Sequence, residues 1–492
     1  MDHRPPARFR CTAWPLALLA GASLLGGCVS LGPLPDPVQP VAAQWSNRNA
    51  VPDTPGIDPA RWWAGFDDPM LDALVARTLA QNLSLAQAGH RLRAARAMVR
   101  PALAQRLPRL DANAGGHRQQ RLSGPGNIDL NRSELRADGT PLLREEARAS
   151  GYYQAGFDAA WEIDLFGRAA AAGDAARAAA DGALADARMA RVSVVAEVVR
   201  SYVELRAAQR RQALLALNLE DQNRLVALTR ERRDAGIASD LEVDRSLAAA
   251  AGSAAQLPPL GQSIRQAAQR IAVLTGQATV DPQLLQPAPQ PSAEHLSLTL
   301  LPADLLRVRP EIRRAEHAVT QAGAELGIAV ADLYPRLSLA GDLIASGNLV
   351  GTPLPGHAIN ATVGPSISIP LLDWGARRAV VNAREAELAA AIEGYRLAVL
   401  EGIEETENAL AAVEAGRRQA AEEAIRLQAT RRAAEHADML YRRGMASRFD
   451  TLDAGIALRQ AQMSGADAAE QQALAMVALH KAVGGASLEP AH

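Results

Sequence analysis

Apolar and small side chains recur at steps of four and three through the last third of the chain. Leu388, Ile392, Tyr395, Val399, Gly402, Thr406, Ala409 and Val413 lie on one such line. That spacing predicts a long helix carrying a coiled-coil seam that admits small residues. Val192, Val195, Val199 and Tyr202 keep the same step in an earlier run. Neither run is interrupted by proline, since none lies between Pro141 and Pro258 or between Pro370 and Pro490. Residues 168–233 alone would span roughly 100 Å at about 1.5 Å per residue, more than a compact domain needs. Charged residues fill much of the remaining helix surface, so these are not membrane helices.

Shorter segments alternate instead, with period two. Strands are predicted over about 109–119, 151–165, 336–346 and 361–371. Roughly ten tilted residues is what a bilayer-crossing strand needs. A polar loop over 121–150 and a Gly/Pro-rich one before residue 361 place the long connections at one end of these strands. Ahead of them, a helix from Met70 to Ala80 would have Asp67 or Asp68 as N-cap and Pro69 in its first turn. A second runs from Ser84 to Leu103, and Pro108 ends that stretch.

The pattern occurs twice. Gly167 and Gly375 differ by 208 positions, as do Gly236 and Gly444, and that offset also carries Ala238-Ser239 onto Ala446-Ser447. An offset of 227 carries Pro108-Arg109-Leu110 onto Pro335-Arg336-Leu337 and His90 onto His317. Self-similarity of this kind marks a duplicated unit. The expected organisation is a leader at 1–27, an extended arm at 28–58 and a first repeat at 59–275. A Pro/Gln-rich linker at 276–301, a second repeat at 302–484 and a tail at 485–492 complete it. Each repeat holds helix, two strands, then a helical hairpin, at 168–275 and 376–483.

Four strands cannot close a barrel, and bare strand edges are not tolerated in lipid. About eight strands close around a lumen filled by side chains, whereas three copies would give about twelve and leave a pore. The fold class expected is therefore mainly α with a β-barrel part. Internally duplicated coiled-coil helices join four membrane strands per chain, a trimeric 12-stranded barrel and an α-helical tunnel.

Composition narrows the chemistry. Formal net charge is −2 with 22% charged residues, which gives no reason to expect a nucleic-acid partner. Hydrophobic content is 48% but aromatics only 3%, with alanine making up the difference, and small residues suit closely packed helices. The start is basic (Arg4, Arg8, Arg10), and an apolar run from Trp14 to Leu25 is too short to span a bilayer. Leu25-Gly26-Gly27-Cys28 resembles a bacterial lipobox, which implies covalent diacylglycerol and N-acyl lipid on Cys28. Val29 after it suggests carriage to the outer membrane. Cys11 would leave with the leader, so the mature chain would keep no thiol for a disulfide, metal or nucleophile. No HExxH, GxxxxGK[ST] or GxGxxG occurs, no cofactor is expected, and Glu404, Glu405 and Glu407 read as salt-bridged helix surface. His90 and His317 at matched positions argue for packing or a solvated face. Trp161 and Trp374, near strand ends, are placed as anchors of the strand-to-helix bends rather than interface-belt aromatics.

Trp62-Trp63-x-x-Phe66-x-Asp68-Pro69-x-Leu71 resembles the opening signature of the TolC-like outer-membrane efflux factors, in the lipoprotein branch serving resistance-nodulation-division pumps. Residues 161–168 (Trp-Glu-Ile-Asp-Leu-Phe-Gly-Arg) are similar to that branch's strand-to-helix motif. Leu301-Pro302-x-Asp304-Leu305-Leu306-x-x-Arg309-Pro310-Glu311, Tyr334-Pro335 and Gly484-Gly485 match its later motifs. The resemblance implies a homotrimeric outer-membrane duct without catalysis of its own, docked by a periplasmic adaptor and an inner-membrane pump. In that family the turns between long helices form the periplasmic mouth. Here Gly236, Ala238 and Ser239 and their counterparts Gly444, Ala446 and Ser447 would contact the adaptor. Asp450 and Asp453, with Arg448 nearby, resemble acidic residues lining the closed mouth in some members, although Asp450 is equally placed to cap the following helix. A duct for type I protein secretion or metal export is the nearest alternative. A periplasmic coiled-coil scaffold lipoprotein is the alternative from another class.

Overall fold

The computed structural model describes residues 45, 59–120, 122, 134–135, 141–142, 149–293, 309–350 and 358–485. Cys28, the leader and residues 294–308, with the Leu301–Leu306 motif, lie outside the described residues. Seven α-helices are described: α1 (Pro69–Gln81), α2 (Leu83–Ala104), α3 (Arg168–Asp234), α4 (Asp240–Leu274), α5 (Pro310–Ala331), α6 (Ala376–Arg442) and α7 (Arg448–Ala482). Matched helices have equal lengths: 22 residues for α2 and α5, 67 for α3 and α6, and 35 for α4 and α7. The strands are β1 (Arg109–Gln120), β2 (Glu134–Leu135), β3 (Pro141–Leu142), β4 (Ala149–Ile163), β5 (Arg336–Val350) and β6 (Ala358–Ser368). The polar loop over 121–150 thus contains a two-stranded pairing, β2 with β3, that its composition did not announce. No described helix is long and apolar enough to cross a membrane.

The compact units do not follow the repeats. Among the described residues, one unit draws on those within 97–177 and 320–389, the other on those within 45–96, 178–319 and 390–485. Each takes matching parts of both halves, because the repeats interdigitate rather than folding one after the other.

The first unit holds a four-stranded antiparallel sheet in the order β1-β4-β5-β6. Helix ends pack near it: Arg168 pairs with Asp332 at 3.0 Å, and Asp332 also accepts from Arg336 at 2.7 Å.

The second unit holds the main core. Trp62, Trp63 and Phe66 join Leu71, Leu74 and Val75 of α1, and pack with Val195, Val199 and Leu205 of α3, Ile271 of α4 and Leu479 of α7. The seam predicted by the four-three step is buried, from Leu388 and Ile392 through Val399, Gly402, Thr406 and Ala409 to Val413, with Tyr395 half-buried. Val192, Val195, Val199 and Tyr202 are buried likewise. Asp68, not Asp67, is the N-cap of α1: its carboxylate accepts from Met70 N at 2.9 Å and Leu71 N at 3.2 Å, and from the Tyr202 hydroxyl at 2.7 Å. Burial and that bond to a carboxylate push the Tyr202 phenol up to about 12. Arg309 is almost fully buried and donates to Gly402 O at 2.9 Å, Thr406 Oγ1 at 3.3 Å and the Glu405 carboxylate. The arginine of the second-half motif is therefore a clamp on the seam of α6, at the point where glycine and threonine leave room for it.

Candidate functional site

Register turns the sheet's alternation into two surfaces, because directly opposed residues of an antiparallel pair point to the same side. Asp111 lies opposite Asp158, Asp158 opposite Asp342, and Asp342 opposite Thr362. Arg109, Asn113 and His117 of β1, Gln154 and Glu162 of β4, Ser338 and Ser346 of β5, and Asn360 and Ser366 of β6 share this polar face. Arg109 donates to Asp111 at 2.5 Å, and Asn113 hydrogen-bonds Asp158. The other face carries Leu110, Ala112 and Ala114, then Tyr153, Phe157 and Ala159, then Leu339 and Leu343, then Ile359, Val363 and Ile367. Its side chains are bare: Ile359 is 72% exposed and Val363 78%. A sheet with one mainly polar face and one mainly apolar, uncovered face is built for water on one side and hydrocarbon on the other. The acidic row escaped the sequence reading because Asp158 and Asp342 meet only once β4 and β5 are paired in register.

Strands β4 and β6 each run into a long helix through a bend. Gly167 (φ 79°) and Gly375 (φ 82°) supply the left-handed backbone at the two turns, and Trp374 shares it at φ 56°. Asp164 accepts from Ala170 N at 2.8 Å, and Asp373 from Gly375 N at 3.0 Å and Arg377 N at 3.2 Å. Trp161 is anchored by its indole N–H, which donates to Arg106 O at 3.0 Å. Trp374 is at its bend too, but 90% exposed and therefore no internal anchor.

The hairpin tips in the second unit are two copies of one motif. Gly236 and Gly444, both at φ 74°, close α3 and α6. Ile237 N returns to Arg232 O at 2.8 Å and Met445 N to Leu440 O at 2.9 Å, the Schellman pattern that needs glycine. Ser239 and Ser447 then cap α4 and α7, each in a reciprocal capping box. Ala238 and Ala446 are half-buried beside them. Asp450 is therefore the third helical residue rather than the cap: it accepts from Ser447 N at 2.8 Å and Oγ at 2.7 Å, as Glu242 does from Ser239. These bonds to Ser447, with Arg232 nearby, hold the Asp450 carboxyl below the usual range. Asp240 is the first residue of α4 and pairs with Arg233 at 3.5 Å. Asp453 is exposed, and Arg448 lies over the Tyr441 ring at 5.5 Å. Arg232 lies over Phe449 at 5.5 Å, so the two tips of one chain touch. Replacing Ser447 with Ala should cost about 1 kcal/mol at this helix start, read as roughly fivefold faster amide exchange in the first turn of α7. Among the described residues no cluster of His, Cys, Asp and Glu is arranged to hold a metal.

The sequence profile described as "Outer membrane efflux protein" matches residues 74–277 and 301–485, which is most of the chain in two blocks. Nodulation protein T of Rhizobium leguminosarum bv. trifolii is 30% identical over 94% of this chain and 95% of its own length. Outer membrane protein OprJ of Pseudomonas aeruginosa is 30% identical over 97% of this chain and 96% of its own. The solved outer-membrane channel OprN superposes with a TM-score of 0.78 at 33% identity, covering 92% of this chain and 99% of OprN. These relatives are channels rather than enzymes. A chain with a two-faced membrane sheet, duplicated hairpins and matches of this extent belongs to the outer membrane efflux protein family and is an outer-membrane efflux channel of the Nodulation protein T type.

Proposed function

We propose that three copies of this chain close a 12-stranded barrel, which continues into a helical tunnel in the periplasm. It passively conducts drugs or other small molecules delivered by a periplasmic adaptor and a resistance-nodulation-division pump. The observation that carries this reading is the four-stranded sheet with opposite polar and apolar faces and two unpaired edges. One chain cannot complete such a wall in lipid, because each edge amide without a partner would cost several kcal/mol there. No step here breaks a covalent bond, and the driving energy belongs to the pump. Deleting the gene in its host should raise susceptibility to the pump's substrates, and the intact chain should restore resistance. Unchanged susceptibility across a broad drug panel would count against efflux.

Lipid on Cys28 is the second element. Cys28→Ser should abolish incorporation of radioactive fatty acid, and labelling that persists would refute the lipobox.

At the tunnel's far end, the turns at Gly236-Ala238-Ser239 and Gly444-Ala446-Ser447 are proposed to meet the adaptor. Asp450 spends its carboxylate on the cap, which leaves Asp453 as the exposed carboxylate one turn on, with Arg448 at the turn between them and α6. Threefold repetition would make Asp453 a ring that attracts cations. Asp453→Asn should lower the cation preference of the pore in planar bilayers, and an unchanged reversal potential would remove it from the mouth.

A further inference from the structure

A cavity of about 1080 Å³ lies in the first unit, where α2 passes into β1 and β4 passes into α3. The polar part of its lining belongs to the polar face of the sheet, with Asp111, Asn113, Asp158, Glu162 and Ser338. The apolar part comes from Pro101, Leu107 and Pro108 and from the half-buried Trp161. The Trp161 indole N–H is held by Arg106 O at 3.0 Å, which fixes the ring in place. Mixed linings of this kind, apolar surface with a few polar groups, are what small organic molecules occupy.

The charges in the lining do not balance. Arg109 donates to Asp111 at 2.5 Å, and Arg168 pairs with Asp332 at 3.0 Å and Glu162 at 3.7 Å. Both arginines of the lining are therefore already committed to carboxylates. Asp158 is held only by the Asn113 amide, and among the described residues no cation pairs with it. Its direct neighbour across the β4–β5 pairing is Asp342, which has no cation either. Like charges directly opposite one another are unfavourable in a sheet, so a cation entering the cavity relieves a repulsion that the chain leaves standing.

The second repeat shows that the bend does not need these residues. The offset of 208 carries Asp158 onto Ser366, Trp161 onto Ile369 and Glu162 onto Pro370, and the offset of 227 carries Asp111 onto Ser338. The same turn from strand to helix is thus made without the carboxylates and without the ring. Their presence in the first repeat calls for a reason other than folding.

We propose that this cavity is a resting site for organic cations with an aromatic or apolar body on their way through the barrel. The assignment rests on the efflux channel read above and narrows its cargo. Asp158, with Asp342 beside it, supplies the charge, the Trp161 face a cation–π contact, and Leu107 with the two prolines covers the apolar body. Binding is weak, because a conducting path holds its cargo only loosely enough to release it. An anion of the same shape is repelled by the unpaired carboxylates.

Rhodamine 6G, a cationic aromatic dye, and fluorescein, an anionic dye of related skeleton, test the site on the purified full-length protein. Polarisation titrations should show saturable binding of rhodamine 6G and none of fluorescein. Asp158→Asn should weaken rhodamine 6G binding roughly fivefold or more, and Ala160→Phe, which fills the cavity from its lining, should weaken it as much. Asp174→Asn removes the same charge from an exposed position on α3 outside the lining and should change nothing. In planar bilayers the dye should briefly interrupt the conductance of the parent, and less often that of Asp158→Asn. Conductance steps from both variants show that they fold. Steps without saturable dye binding, unchanged affinity in Asp158→Asn, or equal weakening by Asp174→Asn overturn the site and leave the channel standing. A parent protein that gives no conductance at all overturns both.

Discussion

Val363→Arg should abolish the outer-membrane channel, whereas Thr362→Arg, one residue earlier, should leave it intact. Both side chains are exposed in the single chain and both sit in β6. They differ only in the face they occupy. Val363 stands with Leu339, Leu343 and Ile367 on the apolar side, where an arginine would be driven into hydrocarbon at about 2–4 kcal/mol per copy near the midplane. Three copies multiply that penalty, enough to stop insertion. Thr362 lies opposite Asp342 on the polar side, so an arginine there gains a cross-strand carboxylate in water. Heat-modifiable migration of membrane extracts on gels reads the outcome: the multimer is lost for Val363→Arg and retained for Thr362→Arg. Equal tolerance of both would mean that the sheet does not face lipid.

Trp62→Ala carries the second large effect, about 3–5 kcal/mol of stability. Trp62 is fully buried, meets Trp63 and Phe66 edge-on at 6.1 and 6.5 Å, and stacks on His480 at 4.7 Å and 6°. A Cβ on Gly485 would come within 3.2 Å of it and 2.8 Å of His480 O, so the closing Gly-Gly is shaped around this tryptophan. One side chain thus ties the first motif of the folded chain to the last. The same packing makes the core acid-sensitive. Burial pushes His480 down to about 4, and its Nε2 has no hydrogen-bond partner. In the unfolded chain it titrates near 6.5. Between those values only the unfolded state binds the proton. Stability therefore falls as pH drops from about 6.5 to about 4, by on the order of 3 kcal/mol, and this contribution is flat above 6.5. Thermal scans across that window should show a shallower pH slope for His480→Gln than for the parent. Equal slopes would remove His480 as the source.

The long helices were legible because nothing competes with their pattern. Steps of four and three through Leu388–Val413, with no proline, have one structural solution, and the bends and tips followed from glycines at fixed offsets. Two things were hidden. The acidic row depends on register between strands far apart in sequence, which composition within each strand cannot reveal. The role of Asp450 was masked because Asp serves equally as N-cap and as the third residue of a capping box, and Ser447 beside it decides. The early end of β6 is a different case. The alternation extends to Leu371, as β4 does at Ile163, and the single chain stops short where its edge has no partner. Pro258 and Pro259 lie inside α4, within the helical hairpin expected over 168–275.

On the proposed reading, one chain supplies a third of a wall. Purified in detergent, sized by light scattering and added to a planar bilayer, the protein should behave as a three-copy particle that produces discrete conductance steps. A stable single-copy particle that conducts nothing would contradict the account.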